Sequence, residues 1–246
     1  MKSPLIAPRA QLWIGRDAVS LCGADGSRQH AAFSDAASLR AACAALAQTQ
    51  PRWRGIEGVL SDAHCRYLVL PRLAGTRGRA ELQASIAARF GAAFGDDPAD
   101  WLLQSDGALL GSTDLVCGLR QERAAAIRAG LADARRRLHS LQPLWVWCSQ
   151  RPLGAARAPH WLASSDGDAL TVGLFAHGSC VGVRSTRLGE DSLAACLDRE
   201  TALQSAHAAG TPVWLFGDSA APARLADGSP VVGAALPPAA ARGGMA

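Results

Sequence analysis

Ser61-Asp62-Ala63-His64-Cys65 gathers a hydroxyl, a carboxylate, an imidazole and a thiol within five positions. These are the residue types of a nucleophilic triad, but neighbours on a turn seldom converge their side chains, and a triad depends on that convergence. The run links two apolar segments, where polar turn formers are expected on conformational grounds alone. A second candidate nucleophile is Ser219, in Phe216-Gly217-Asp218-Ser219. It needs a general base, and no histidine follows His207, so the base would have to come from upstream. A strand ending in a polar turn accounts for the run more simply. The six histidines (His30, His64, His139, His160, His177 and His207) include no H-x-x-x-H pair, and the 7 cysteines include no C-x-x-C pair, so the spacings that gather ligands around zinc are missing. Phosphate loops of the G-x-x-x-x-G-K-[ST] and G-x-G-x-x-G kinds are absent as well. No catalytic residue, cofactor-binding residue, cofactor or metal ligand is assigned.

Composition narrows the classes further. A chain of 246 residues, 49% hydrophobic, has enough apolar surface for a sizeable core. The net charge is only +4, and its arginines are spread along the chain, so nucleic acid is not an expected partner. The densest basic run, Arg135-Arg136-Arg137, falls at the end of a predicted helix, where cations meet the negative end of the dipole. Cys22, Cys43, Cys65, Cys117, Cys148, Cys180 and Cys196 are scattered among apolar neighbours and read as small core residues of a protein in a reducing compartment. Met1-Lys2-Ser3-Pro4-Leu5 lacks the apolar stretch of a secretion signal, and no window approaches the ~20 residues of a membrane span. The expected location is the cytosol, without direct membrane insertion and with docking on a membrane complex left open.

The elements that would position any site follow from periodicity. Leu12 to Ile14, Ala18 to Cys22 and Arg28 to Phe33 alternate like strands, with Asp25-Gly26 as a turn. Ser34 offers an N-cap for a helix carrying Leu39, Cys43 and Leu46. Strands are expected at Ile56 to Leu60 and Arg66 to Leu70, and a helix through Leu82, Ile86, Phe90 and Phe94, stopped by Gly95. Trp101 to Gln104 and Ala108 to Leu110 flank Asp106-Gly107 as a hairpin. A third helix spans Gln121 to Leu138, and Leu144 to Cys148 reads as an apolar strand. Gln150 to Pro159 is the expected linker. Beyond it a second meander appears at Trp161 to Ser164, Ala169 to Phe175 and Cys180 to Ser185, then a helix over Asp191 to Ala208 and a strand at Pro212 to Phe216. Six tryptophans, Trp13, Trp101, Trp145, Trp147, Trp161 and Trp214, fall in predicted strands. Core packing is their default role, and an aromatic hot spot for a partner peptide is the alternative.

The order β-β-β-α-β thus occurs twice, which describes two ribonuclease-H-like lobes in tandem, an α/β actin-like fold with the second lobe abbreviated. The expected domains are 10–149, 160–217 and an Ala/Pro/Gly-rich tail over 218–246, whose end from Pro237 is expected to be disordered. With Leu12-Trp13-Ile14-Gly15, Val59-Leu60-Ser61, Arg66-Tyr67-Leu68-Val69-Leu70-Pro71 and the Phe90 to Trp101 stretch, the chain resembles the PilM-like and GspL-like actin-like cytoplasmic proteins of type IV pilus and type II secretion systems.

That resemblance implies a scaffold that binds a short cytoplasmic segment of an inner-membrane assembly protein, with self-association left open. It implies a partner groove bordered by Arg66, Tyr67, Leu68, Val69 and Leu70. Actin-like ATPases open each lobe with Asp, an apolar residue and Gly; here Trp13 stands at the first Asp position, and the second hairpin, taken as Gly173 to Ser179, also lacks one. A degenerate nucleotide site is therefore expected. The alternative is an enzyme: a weak actin-like ATPase or phosphotransferase, or a small hydrolase using Ser219, whose surroundings are similar to the nucleophile block of GDSL-type hydrolases. A ligand at about a hundred times its Kd adds about 2.7 kcal/mol of stability. Millimolar MgATP is expected to leave Tm where MgCl2 alone leaves it, and a rise of several degrees would show a retained site.

Overall fold

The structure, a computed structural model, describes residues 9–23, 27–51, 53, 55–71, 78–106, 113–151, 158–204, 210–217 and 222–234. In chain order its elements begin with β1 (Ala10–Ile14), β2 (Ala18–Cys22), β3 (Arg28–Ala32), α1 (Ala36–Gln48) and β4 (Ile56–Leu60). A short 3-10 turn over Asp62–His64 leads to β5 (Cys65–Pro71), α2 (Arg79–Phe94), β6 (Trp101–Ser105), β7 (Thr113–Arg120), α3 (Gln121–Asp133), β8 (Leu138–Pro143) and α4 (Leu144–Ser149). The chain then forms β9 (His160–Asp166), β10 (Ala169–Ala176), β11 (Ser179–Arg187), α5 (Leu193–Leu203), β12 (Val213–Gly217) and β13 (Val231–Ala234).

Two five-stranded sheets share one topology. The first has the order β3-β2-β1-β4-β8 and the second β11-β10-β9-β12-β13. In each, three antiparallel strands of a meander are continued by two parallel strands, β4 beside β1 and β12 beside β9. This is the ribonuclease-H-like arrangement twice over, an actin-like α/β fold. A third sheet, β5-β7-β6, is antiparallel and lies in sequence between β4 and β8.

The chain forms two compact units. Among the described residues, one comprises 9–61 and 122–144, and the other 62–121 and 145–234. They are not the continuous lobes 10–149 and 160–217 that element order suggests, because the third sheet, with α2 and α4, belongs with the second five-stranded sheet. The first unit buries Leu12, Ile14, Val19 and Leu21 from its meander and Leu39, Cys43 and Leu46 from α1. The second buries Trp161, Leu170, Val172, Leu174, Leu197, Val213 and Leu215 in one cluster.

Local chemistry explains where the elements depart from expectation. The N-cap of α1 is Asp35 rather than Ser34: the Asp35 carboxylate accepts from Ser38 N at 2.8 Å, and Ser38 Oγ accepts from Asp35 N at 3.0 Å, a reciprocal capping box. Helix α3 stops at Asp133, not Leu138. Arg135 adopts a left-handed φ of 54°, Arg136 N donates to Leu131 O and Arg135 N to Ala132 O, both at 2.8 Å, which is a Schellman stop with arginine in glycine's usual place. Leu138 therefore begins β8, and Leu144 to Cys148, expected as a strand, forms α4. A short apolar run cannot be assigned by periodicity alone.

Asp106 pairs with Leu115 rather than closing a two-residue turn at Asp106-Gly107. Asp106 N donates to Leu115 O at 3.0 Å, and its Oδ1 accepts from Leu115 N at 3.1 Å. The returning strand is β7 from Thr113, while Ala108 to Leu110 lie outside the described residues. Strand β13 falls within the segment expected as tail and completes the second sheet beside β12. Asp25-Gly26, Ser219 and Pro237 to Ala246 lie outside the described residues, as does most of Gln150 to Pro159.

Within the first unit α3 passes close to α1 at Gly130. A Cβ there would collide with the Arg40 carbonyl oxygen and sit 2.8 Å from Cys43 Cβ. The crossing is also clamped by Arg40, whose Nε and second guanidinium nitrogen meet the Asp133 carboxylate at 2.6 and 2.9 Å. Alanine gains about 1 kcal/mol of helix propensity over glycine, yet overpacking costs about 1–3 kcal/mol. Gly130→Ala is therefore expected to destabilise the protein in urea titrations, and an increase in stability would refute the close approach.

Candidate functional site

The five residues expected to border a partner groove lie on β5, which among the described residues pairs with β7 alone and so forms one edge of the third sheet. Their side chains divide between its two faces. Leu70 packs with Ile86 and Val116, and half-buried Leu68 joins the same cluster, facing α2. Arg66 is held on that face by Asp96 at 3.1 Å and lies over the rings of Phe94 and Trp101, 4.9 and 5.2 Å from their centroids. Tyr67 points the other way and meets Trp145 edge to face at 5.6 Å. Tyr67 and Leu70 are thus core residues and Arg66 is engaged. Leu68 and Val69 are half-buried, and β11 also runs close to β5.

Behind the strand lies an arrangement that residue spacing did not reveal. Asp62 opens the 3-10 turn after β4 and is only 4% exposed. Its Oδ2 accepts from Ser164 Oγ on β9 at 2.6 Å, and its Oδ1 accepts from Trp145 N at the start of α4 at 3.1 Å and from the Tyr67 hydroxyl. One carboxylate thus ties together the turn, β5, α4 and β9. Burial pushes its pKa up to about 6, against the lowering effect of the three hydrogen bonds, and the nearby Asp166 charge adds to the rise. Both Asp62 oxygens are committed to these partners, so the Ser61 to Cys65 run supplies a structural hub rather than the acid of a triad.

Aromatic packing extends the hub. Trp145 donates from Nε1 to Leu162 O at 2.9 Å and stacks on Phe175 at 5.6 Å, and Phe175 stacks on His160 at 5.2 Å. Gly173 makes room, because a Cβ there would run into the indole. The core reading of the tryptophans holds at Trp13, Trp101, Trp145, Trp147 and Trp161, all buried; Trp214 is half-buried, and Trp53, which lies outside the predicted strands, is 69% exposed.

The hairpin assignment needs one correction. Gly15 N donates to Ala18 O at 2.8 Å, closing the β1–β2 turn beside buried Trp13. Its counterpart in the second sheet is the β9–β10 turn, Asp166-Gly167-Asp168. The Gly173 to Ser179 stretch instead ends β10 and turns into β11 through His177 and Gly178, both at positive φ. The second counterpart turn thus carries carboxylates, and the expectation of a degenerate nucleotide site rests on Trp13. Among the described residues no group of three or more His, Cys, Asp or Glu side chains could hold a metal ion, and no helix is long and apolar enough to cross a membrane.

The hub makes two linked predictions. Asp62→Ala leaves the Tyr67 and Ser164 hydroxyls and the Trp145 amide without their acceptor, a loss on the order of 3 kcal/mol, whereas Asp62→Asn can keep an acceptor for Tyr67 and Trp145 and donate to Ser164. A carboxyl whose folded pKa lies above its unfolded value holds its proton more tightly in the folded state. Its contribution is fully present below about pH 4 and is lost as pH rises through about 6. Wild-type stability relative to Asp62→Asn is therefore expected to rise by about 1 kcal/mol between pH 7 and pH 5 in urea titrations. A pH-independent difference would show that the carboxylate is not desolvated.

No protein-family profile matches the sequence, and no curated protein does. Solved structures share its fold. The cytoplasmic domain of EpsL, an inner membrane component of the type II secretion system of Vibrio cholerae, superposes with a TM-score of 0.62 at 12% identity, over 92% of this chain and 90% of that one. The PilM-PilN type IV pilus biogenesis complex gives 0.57 at 15% identity, over 86% of this chain and 82% of that one. A Bacteroides thetaiotaomicron protein described as having an actin-like ATPase fold and unknown function gives 0.55 at 10%, over 86% and 82%. These likenesses extend over most of each chain, and with the repeated sheet order they establish that this chain has the actin-like fold.

Proposed function

We propose that this protein is a non-catalytic cytoplasmic scaffold that binds a short cytoplasmic segment of an inner-membrane assembly protein in a type IV pilus or type II secretion machine. The observation that carries this reading is the fold shared with the EpsL cytoplasmic domain and with PilM in its complex with PilN. Trp13, at the position where actin-like ATPases carry an acid, supports a binding role over a catalytic one.

The strand β5 suits an incoming segment in one specific way. Its ladder uses one edge, against β7, and its side chains are largely spent on the two faces of the sheet. An extended peptide meeting the other edge gains main-chain hydrogen bonds for affinity and side-chain contacts with Leu68 and Val69 for selectivity. Such a segment is disordered until bound and loses chain entropy on docking. Because the outer edge offers backbone and apolar groups rather than unpaired charge, the affinity should depend weakly on salt.

The test is a titration of the purified protein with synthetic cytoplasmic segments of the inner-membrane proteins encoded beside it. Saturable binding is expected, weakened about tenfold by Val69→Asp while the circular dichroism spectrum stays that of wild type. Absence of binding to every segment, together with turnover of a nucleotide or an ester by the same preparation, would replace the scaffold reading with an enzymatic one.

A further inference from the structure

Strand pairing brings two cysteines together beside the Asp62 hub. Tyr67 on β5 stands opposite Cys117 on β7, and Cys65 stands opposite Leu119. Alternate residues of a strand share a face, so Cys65 and Cys117 are diagonal neighbours on one face of the third sheet. Their side chains lie within hydrogen-bonding reach of each other, and neither is in a disulfide.

The two thiols are not equivalent. Cys65 is buried, whereas Cys117 is half-buried. The hydrogen bond that the Cys65 thiol donates to the Cys117 sulfur, and then burial, hold Cys65 well above its ordinary pKa. The thiolate is the reactive species, so Cys65 stays a thiol unless its neighbour is oxidised first. The Tyr67 hydroxyl lies within reach of Cys65 and is itself bonded to Asp62.

We propose that Cys65 and Cys117 are a redox pair that closes reversibly into a cross-strand disulfide, with a peroxide as oxidant. The Cys117 sulfur attacks one oxygen of hydrogen peroxide and breaks the O–O bond. Hydroxide leaves, takes the thiol proton as water, and Cys117 becomes a sulfenic acid. The Cys65 sulfur then attacks the Cys117 sulfur, forming the S–S bond and breaking S–O. The departing hydroxide takes the Cys65 proton as a second water. Two thiols have lost two electrons and the peroxide has gained them. A low-molecular-weight dithiol reverses the bridge by exchange and becomes the disulfide itself.

Diagonal cross-strand positions sit roughly 7–8 Å apart at Cα, beyond the roughly 7 Å that a bridge spans without backbone movement. Closure therefore needs β5 to slip along β7, to which it is already joined by ladder hydrogen bonds. A strained bridge is the kind that is readily reduced again, as suits a switch rather than a staple. The inference is independent of the partner reading, since it needs only the register of β5 and β7.

The experiment is peptide mapping of the intact chain. Reduced protein is treated with hydrogen peroxide, its free thiols are blocked with iodoacetamide, and it is digested without reduction and analysed by mass spectrometry. A linked peptide pair containing Cys65 and Cys117 is expected, with two fewer alkylated thiols than in untreated protein, both recovered after dithiothreitol. Cys117→Ser should abolish the link and leave Cys65 alkylated. Recovery of Cys117 as sulfenic or sulfinic acid with Cys65 alkylated, or a bridge confined to other cysteines, overturns the proposal. Mapping the wild-type chain decides the matter even where a cysteine variant fails to fold.

Discussion

The Asp62 carboxylate is the constraint to which much of the larger unit answers. An isolated buried carboxylate costs far more than a folded domain has to spare, so this one exists only with its donors in place. Those donors come from distant parts of the sequence: Tyr67 from β5, the Trp145 amide from α4 and Ser164 from β9. The Trp145 amide is available because the first amides of a helix have no partner within it. That burial still outweighs these three bonds, leaving the pKa raised to about 6, shows how completely the group is withdrawn from water. Each donor is therefore required where it is, and with the donors come the elements that carry them.

Packing around the hub follows the same logic. The Trp145 ring lies where only glycine can face it, at Gly173, and stacks on Phe175, which stacks in turn on His160. Its Nε1 reaches Leu162 O, so a large amphipathic side chain is buried with its one polar atom satisfied. A third sheet that would otherwise meet the second only through apolar contact is keyed to it by polar bonds as well, including Thr113 Oγ1 to Cys180 O at 2.7 Å.

Much of the fold was legible in the chain because meanders and capped helices leave local signals. Leu12 to Ile14, Ala18 to Cys22 and Ala169 to Phe175 alternate or run apolar between turn formers, and the repeated order led to the tandem ribonuclease-H-like arrangement. What escaped were features settled by tertiary contact. Leu144 to Cys148 is equally apolar as strand or helix, and its choice follows from the Asp62 carboxylate waiting for the Trp145 amide. The end of α3 turns on Arg135 accepting a left-handed conformation that its residue type does not announce. The β7 strand was obscured by Asp106-Gly107, which looks like a tight turn, whereas the returning strand begins at Thr113. The hub itself had no sequence signature, since an Asp in a polar run is ordinary until both oxygens are found buried. The Cys65 and Cys117 contact likewise required the β5–β7 register, because 51 intervening residues separate them in the chain.

The same register bears on the proposed docking role of β5. An edge strand with a bare ladder invites unwanted pairing, and proteins limit that risk with charge or proline along it. Here Arg66 near the start and Pro71 at the end bracket a short apolar interior, so any pairing is confined to the middle of the strand. That middle includes Tyr67, whose hydroxyl is bound to Asp62 and whose ring packs on Trp145. The backbone a partner would pair with is consequently fixed from behind by a buried polar contact, not by apolar packing alone. An edge so anchored would lose little further freedom if a peptide added to it, and the entropy lost on such docking would fall mainly on the incoming segment.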